Sequence, residues 1–168
     1  MEELIDKTRE YLDYIERHWK NVKKAWKELN NKCEGKNFNW IYDDYIWGCI
    51  NENVKNHDMS KLSINEFIQY RQYYYPTGDE KPNKDLMQDA WLHHLGNNPH
   101  HWQYRVDRDF YYPNQELIYL IENICDWMAM GYEFGDTAKE YYEKNKKDII
   151  LPDWAVKHMY EIFDIIYE

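Results

Sequence analysis

Between residues 4 and 29, apolar positions recur in threes, fours and sevens: Ile5, Leu12, Ile15, Trp19, Val22, Trp26 and Leu29. That period predicts one long amphipathic helix. A polar connection from Asn30 to Asn39, containing Gly35, separates it from a second predicted helix over Trp40 to Val54, with Ile46, Trp47 and Ile50 facing inward. Ser63-Ile64-Asn65-Glu66 has the spacing of a capping box and predicts a helix from there through about Tyr74. Pro76 to Asp79 reads as a loop. A helix from Lys84 to Leu95 is expected to stop at Gly96, and another from Pro113 to about Met130 at Gly131. Two more follow, one after Asp136 and one opened by Pro152. No segment alternates as a strand does, and there is no internal repeat. The expectation is an all-α fold, a single-domain helical bundle over residues 1–168.

Composition narrows this picture. A chain of 168 residues has the size of one domain and is long enough to bury a core. With 43% hydrophobic and 18% aromatic residues it is not a disordered chain, and six glycines and five prolines leave room for long helices. No stretch approaches the roughly 20 apolar residues of a membrane span. The start, Met1-Glu2-Glu3, lacks a secretory pattern, and Cys33, Cys49 and Cys125 are odd in number and far apart. A reduced, cytoplasmic protein is expected. A formal charge of −10 argues against stable nucleic-acid binding through the protein's own field. It does not exclude a small phosphate ester, because bound metal ions can supply the local positive charge.

Candidate chemistry lies in the histidines. Five of the seven fall in three tight places: His57-Asp58, His93-His94 and His100-His101. Imidazole with carboxylate suits Mn, Fe, Zn, Co or Ni. Each histidine also has a plainer reading. His57-Asp58 is either a ligand pair at a helix end or a turn in which Asp58 caps. A step of 100° per residue puts His94 on one face with Ala90 and Trp91, so His94 is the better inward ligand and His93 an outer or exposed residue. His94 is otherwise a core histidine bonded to a carbonyl. His100 and His101 follow a helix stop and Pro99, where either ring is free to turn inward or to stay in solvent. His18 sits between Ile15 and Val22 on the rim of the apolar stripe, as a ligand or as a satisfied core residue. Asp126 points away from the stripe Leu117, Leu120, Ile121, Ile124 and Met128, toward either a polar cavity or the surface. His158 has no sequence neighbour of this kind and reads as structural.

In order, His18, His57-Asp58, His94, His100-His101 and Asp126 resemble the HD superfamily of metal-dependent phosphohydrolases. The run His57-Asp58-Met59-Ser60-Lys61 looks like that family's HD-x-x-K form, and His94 to His101, with Asn98 before the final pair, is similar to its cyclic-dinucleotide branch and to small bacterial and phage relatives. Ile124-Cys125-Asp126-Trp127-Met128-Ala129 matches its late-aspartate helix. The resemblance covers about residues 14–130 and leaves two additional C-terminal helices, 136–168, outside it. By resemblance, His18, His57, Asp58 and Asp126 hold one divalent transition metal, and Asp58, His94 and one or both of His100 and His101 hold a second, with Asp58 bridging. Two features depart from the family. His101 is followed by Trp102-Gln103-Tyr104 where the cyclic-di-GMP branch has glycine, tyrosine and proline, and Tyr14 replaces the carboxylate that serves a third metal in some members.

The implied activity is hydrolysis of a phosphomonoester or phosphodiester, a nucleotide or cyclic nucleotide, by water activated between two cations. Asp58 belongs to that chemistry, and Lys61 either stabilises a non-bridging oxygen or is a solvated lysine after a turn. Trp91, Trp102 and Tyr104 are candidates to stack a base or are core, and the runs Tyr73-Tyr74-Tyr75 and Tyr111-Tyr112 are candidates to line an entrance. Two other functions stay open: a di-iron oxygenase of the same type, and a non-enzymatic helical binding module with a structural metal or none.

Overall fold

The computed structural model describes residues 1–34, 44–105 and 113–167. Among the described residues the fold is all-α, with seven helices: α1 (Glu2–Cys33), α2 (Asp44–Lys55), α3 (Phe67–Tyr74), α4 (Lys84–Asn97), α5 (Pro113–Phe134), α6 (Ala138–Asn145) and α7 (Asp153–Ile166). No helix among them is long and apolar enough to cross a membrane. The residues fall into two compact units, Met1–Trp19 with Asp58–Asn98, and Lys20–His57 with Pro99–Glu168.

The second unit has the larger core. Its centre is α5, on which Leu117, Ile118, Leu120, Ile121, Ile124, Cys125, Trp127, Met128 and Ala129 are all buried. Helices α2, α6 and α7 pack on α5. Val22, Ala25, Trp26, Leu29 and Cys33 of α1 join the same core. Trp26 buries its ring and still satisfies its indole N–H, which donates to Asn51 Oδ1 at 2.6 Å. Thr137 and Glu140 form a reciprocal capping box at the start of α6, and Pro152 precedes α7. All three cysteines are free.

Two helix ends differ from the sequence expectation. Helix α5 continues through Gly131 and stops at Gly135, whose φ of 88° only glycine adopts without strain. Gly131 is a glycine for another reason: a Cβ there would lie 2.1 Å from the carbonyl oxygen of Asp136. Likewise α4 continues through Gly96 to Asn97, and the Asn98 side chain donates to the His94 carbonyl at 2.8 Å. Gly135 marks a stop, Gly131 a close approach and Gly96 neither, yet the symbol in the sequence is the same. Trp40–Asp43, expected as the first turn of the second helix, lie outside the described residues, as do Tyr111 and Tyr112.

The first unit is small and aromatic. Tyr11, Tyr70 and Ala90 are buried, with Tyr14, Ile15, Phe67, Tyr75 and Met87 packed around them. Here the predicted stripe of α1 is corrected: Ile5 and Leu12 are exposed, and Tyr11 and His18, seven apart, point inward instead. A run of tyrosines offers the core more apolar area than two aliphatic residues, so the face that carries rings is the one that turns in. The connection after α3 is held by Arg71, which is buried and makes a two-pronged pair with Glu80. The same carboxylate accepts from the Thr77 amide at 2.9 Å.

Candidate metal centre

In the first unit the polar cluster is built around Asp58. This is the one non-glycine residue with positive φ among the described residues, at φ 57° and ψ 19°. Aspartate tolerates that left-handed backbone better than most residues, at a cost of roughly 1 kcal/mol or more. It opens the 3₁₀ turn Met59–Leu62, which brings Lys61 back so that Nζ donates to Asp58 Oδ2 at 2.7 Å. The Asp58 carboxylate is 6% exposed, with Oδ1 at 3.3 Å from His94 Nε2 and Oδ2 at 3.6 Å from His18 Nε2. Both histidines are buried, and the His18 ring stacks on Tyr14 at 6.1 Å.

On its other side His94 is held by Glu66, whose Oε2 lies 2.9 Å from Nδ1. Glu66 is fully buried, and its second oxygen takes His93 Nδ1 at 2.6 Å. Burial alone would raise the Glu66 pKa, but the bonds to His94 and His93 outweigh it and hold the carboxyl below the usual range. Burial likewise pulls the His94 imidazole down, and its bonds to Asp58 and Glu66 reverse that into a raised pKa. Asn98 and Ser60 complete the shell: Asn98 Nδ2 donates to Ser60 Oγ at 2.7 Å, and Ser60 Oγ lies 3.2 Å from His94 Nδ1. His94 is thus the inward histidine, as the helical step predicts, and His93 lies outside it with a partly exposed side chain.

The capping box expected at Ser63 does not form. Helix α3 starts one residue after Glu66, which makes no side-chain cap. The carboxylate is drawn to two imidazoles, a stronger pairing than one amide offers.

In the second unit the corresponding residue is Glu122 of α5, which the sequence reading passed over. It is buried, and Oε1 lies 3.0 Å from His57 Nδ1 and 3.3 Å from His100 Nδ1, while Oε2 accepts from Asn53 at 2.9 Å. Burial pushes its pKa up, but the charges and hydrogen bonds of His100 and His57 prevail and bring it down to about 2. The His57 ring turns Nε2 toward Asp126 Oδ1, 3.7 Å away. Asp126 is buried, so the face that carries it is interior and not surface. The rings of His57 and His100 lie 4.4 Å apart, and those of His100 and His101 4.2 Å apart. One donor atom each from His100, His101 and Asp126 lie within 4.8 Å of one another. The missed signal was legible: Glu122 and Asp126 stand one turn apart in a run that is apolar but for Asn123, where a carboxylate needs a reason.

The expected ligands and the expected catalytic Lys61 therefore divide between the units. His18, Asp58, His94 and Lys61 belong to the first, and His57, His100, His101 and Asp126 to the second. His158 is in neither cluster and pairs with Glu161 at 2.9 Å. Trp91 stacks on His94 at 5.8 Å, and Trp102 packs against the core of the second unit. Tyr75 packs on Tyr11 and Tyr14.

Over residues 7–165 the chain matches the model of a family of unknown function, DUF5662. No curated protein and no solved structure matches it. The family match takes in both polar clusters and the helices beyond them, and the chain belongs to the DUF5662 family.

Proposed function

We propose that this chain is a cytoplasmic metal-dependent phosphohydrolase, in which His18, His57, Asp58, His94, His100, His101 and Asp126 hold two divalent transition-metal ions. The observation that carries the reading is the orientation of the imidazoles. His94 and His57 each present Nδ1 to a buried glutamate, at 2.9 and 3.0 Å, and Nε2 to an aspartate, at 3.3 and 3.7 Å. A carboxylate behind a histidine fixes its tautomer and raises the basicity of the outward nitrogen, the usual support for a metal ligand. Two donors on one cation at about 2.1 Å each stand roughly 3.0–3.4 Å apart; the 3.3 Å of His94 and Asp58 lies in that range, and the 3.7 Å of His57 and Asp126 is wider and would have to close on an ion.

Such ions supply positive charge for a phosphate ester and acidify water near neutral pH. The chain's own residues do the rest. Glu66 and Glu122 hold the imidazoles in register, Asp58 contributes a carboxylate whose direction its backbone fixes, and Lys61 offers an ammonium to a non-bridging phosphoryl oxygen. The substrate class is a phosphomonoester or phosphodiester, with a nucleotide or cyclic nucleotide as the member that the HD-type resemblance favours.

The test is elemental analysis of protein purified without chelator, followed by Mn²⁺-dependent turnover of a nucleotide panel. Two metals per chain, lost in His57→Ala with helix content kept, are expected. Unchanged stoichiometry in that variant, or no turnover of any phosphate ester, overturns the reading. Iron with oxygen consumption would instead favour the oxygenase.

A further inference from the structure

The second unit holds a cavity of about 460 Å³ that is lined by none of the proposed metal ligands. Its volume is in the range of small-molecule sites. The last turns of three helices border it, with Lys32 of α1, Tyr132 of α5 and Ile166 of α7, and so does the α5–α6 connection from Gly135 to Thr137. Met128, Ile166 and the rings of Tyr132 and Tyr167 give it an apolar body. Helix C-termini carry partial negative charge, and the lining adds the carboxylates of Glu28 and Asp136 against one ammonium, Lys32.

Much of this field is already answered. Lys32 donates to the Ile166 carbonyl at the end of α7, and Glu28 accepts from the Tyr132 hydroxyl. The N-terminus of α6, which also borders the cavity, is closed by the capping box of Thr137 and Glu140 and by the Tyr167 hydroxyl, which accepts from the Ala138 amide at 3.0 Å. Asp136 differs. It is half-buried, and its carboxylate makes no ion pair and no side-chain hydrogen bond among the described residues. A carboxylate partly withdrawn from water beside an apolar wall is stabilised by a cation. The aromatic wall suits the same charge, since Lys24 Nζ already stands 3.8 Å from the centre of the Tyr132 ring.

The occupant must bring positive charge to Asp136 and apolar surface to the rings. We propose that this cavity binds an organic ammonium with an aromatic body, its N–H groups on the Asp136 carboxylate and its ring among Met128, Ile166, Tyr132 and Tyr167. A bare metal cation needs more oxygen ligands than one unpaired carboxylate offers. An anion meets two carboxylates and the negative ends of helices, and a neutral apolar molecule strips water from Asp136 without replacing it. The site shares no residue with the metal centre, so it stands or falls apart from the phosphohydrolase reading.

The experiment is calorimetric titration of protonated 2-phenylethylamine into the full chain, with 2-phenylethanol as its uncharged analogue. Two variants accompany wild type, each with its melting temperature: Asp136→Asn, which keeps the shape and removes the charge, and Asn31→Trp, in which an exposed lining residue fills the mouth. Wild type should bind the ammonium about tenfold or more tightly than the alcohol, and Asp136→Asn should lose that margin. Asn31→Trp should bind neither compound while melting as wild type does. No saturable binding by wild type at millimolar amine, alcohol affinity within about twofold of the amine, or amine affinity within about twofold of wild type in Asp136→Asn each overturns the site. Amine binding that survives in Asn31→Trp also overturns it, because the amine then sits elsewhere on the acidic surface.

Discussion

Glu66 and Glu122 are the residues on which the clusters turn, because each buried carboxylate satisfies two imidazoles at once. Replacing either by glutamine keeps the volume but removes the charge and one acceptor. Glu66→Gln and Glu122→Gln should each lower metal affinity by roughly 10–100-fold, measured by competition with a chromogenic chelator. Equal affinity in both would show that these acids only satisfy core histidines. Asp58 gives a second, backbone-based test. Glycine adopts its φ of 57° freely and alanine does not, so Asp58→Gly should fold about 1 kcal/mol more stably than Asp58→Ala in urea denaturation. Both should lose metal. The sequence told much at this scale: the helical step picked His94 over His93. It misread Glu66, because a capping box and a carboxylate bound for two imidazoles have the same symbols.

Among the elements, helix identity was legible and helix ends were not. The period of α1 was plain and its second half buries Val22, Trp26 and Leu29 as expected, yet its first half turns Tyr11 and His18 inward, a preference that counting aliphatic residues does not register. The three glycines within described helices show what is missing from the string. Gly48 and Gly96 have open space where a Cβ would go, whereas at Gly131 the Asp136 carbonyl stands in the way. Gly48→Ala and Gly96→Ala should therefore raise stability by about 0.5–1 kcal/mol each, by denaturant midpoint. Gly131→Ala should destabilise by about 1–3 kcal/mol, the usual range for forced overpacking. A neutral Gly131→Ala would mean that the α5–α6 connection yields easily.

At the scale of the whole molecule, charge and pH govern what is measured. Glu80 is held well below its ordinary pKa by its pair with Arg71, then by the Thr77 amide. A carboxyl depressed on folding stabilises above its unfolded pKa, near 4.5, and that contribution fades as pH falls toward the folded value. Wild type should lose stability between about pH 5 and pH 3 more steeply than Glu80→Gln, in thermal melts across that window. Parallel curves would remove the pair from the account. With a net charge of −10 the chain also stands to gain from cations: metal at 100 times its Kd should add about 2.7 kcal/mol to folding, and chelation should withdraw it.

The course of α5 carries one more consequence. Its middle is inaccessible on nearly every side, and Glu122 and Asp126 ride on that segment. In amide hydrogen–deuterium exchange, such a segment is the last of its unit to open, and does so only when that unit unravels entirely. Fraying at the chain ends or in the surface connections therefore leaves these two acids in position. Heat or denaturant should abolish their ligand capacity in a single step with the loss of the fold, never by gradual erosion beforehand.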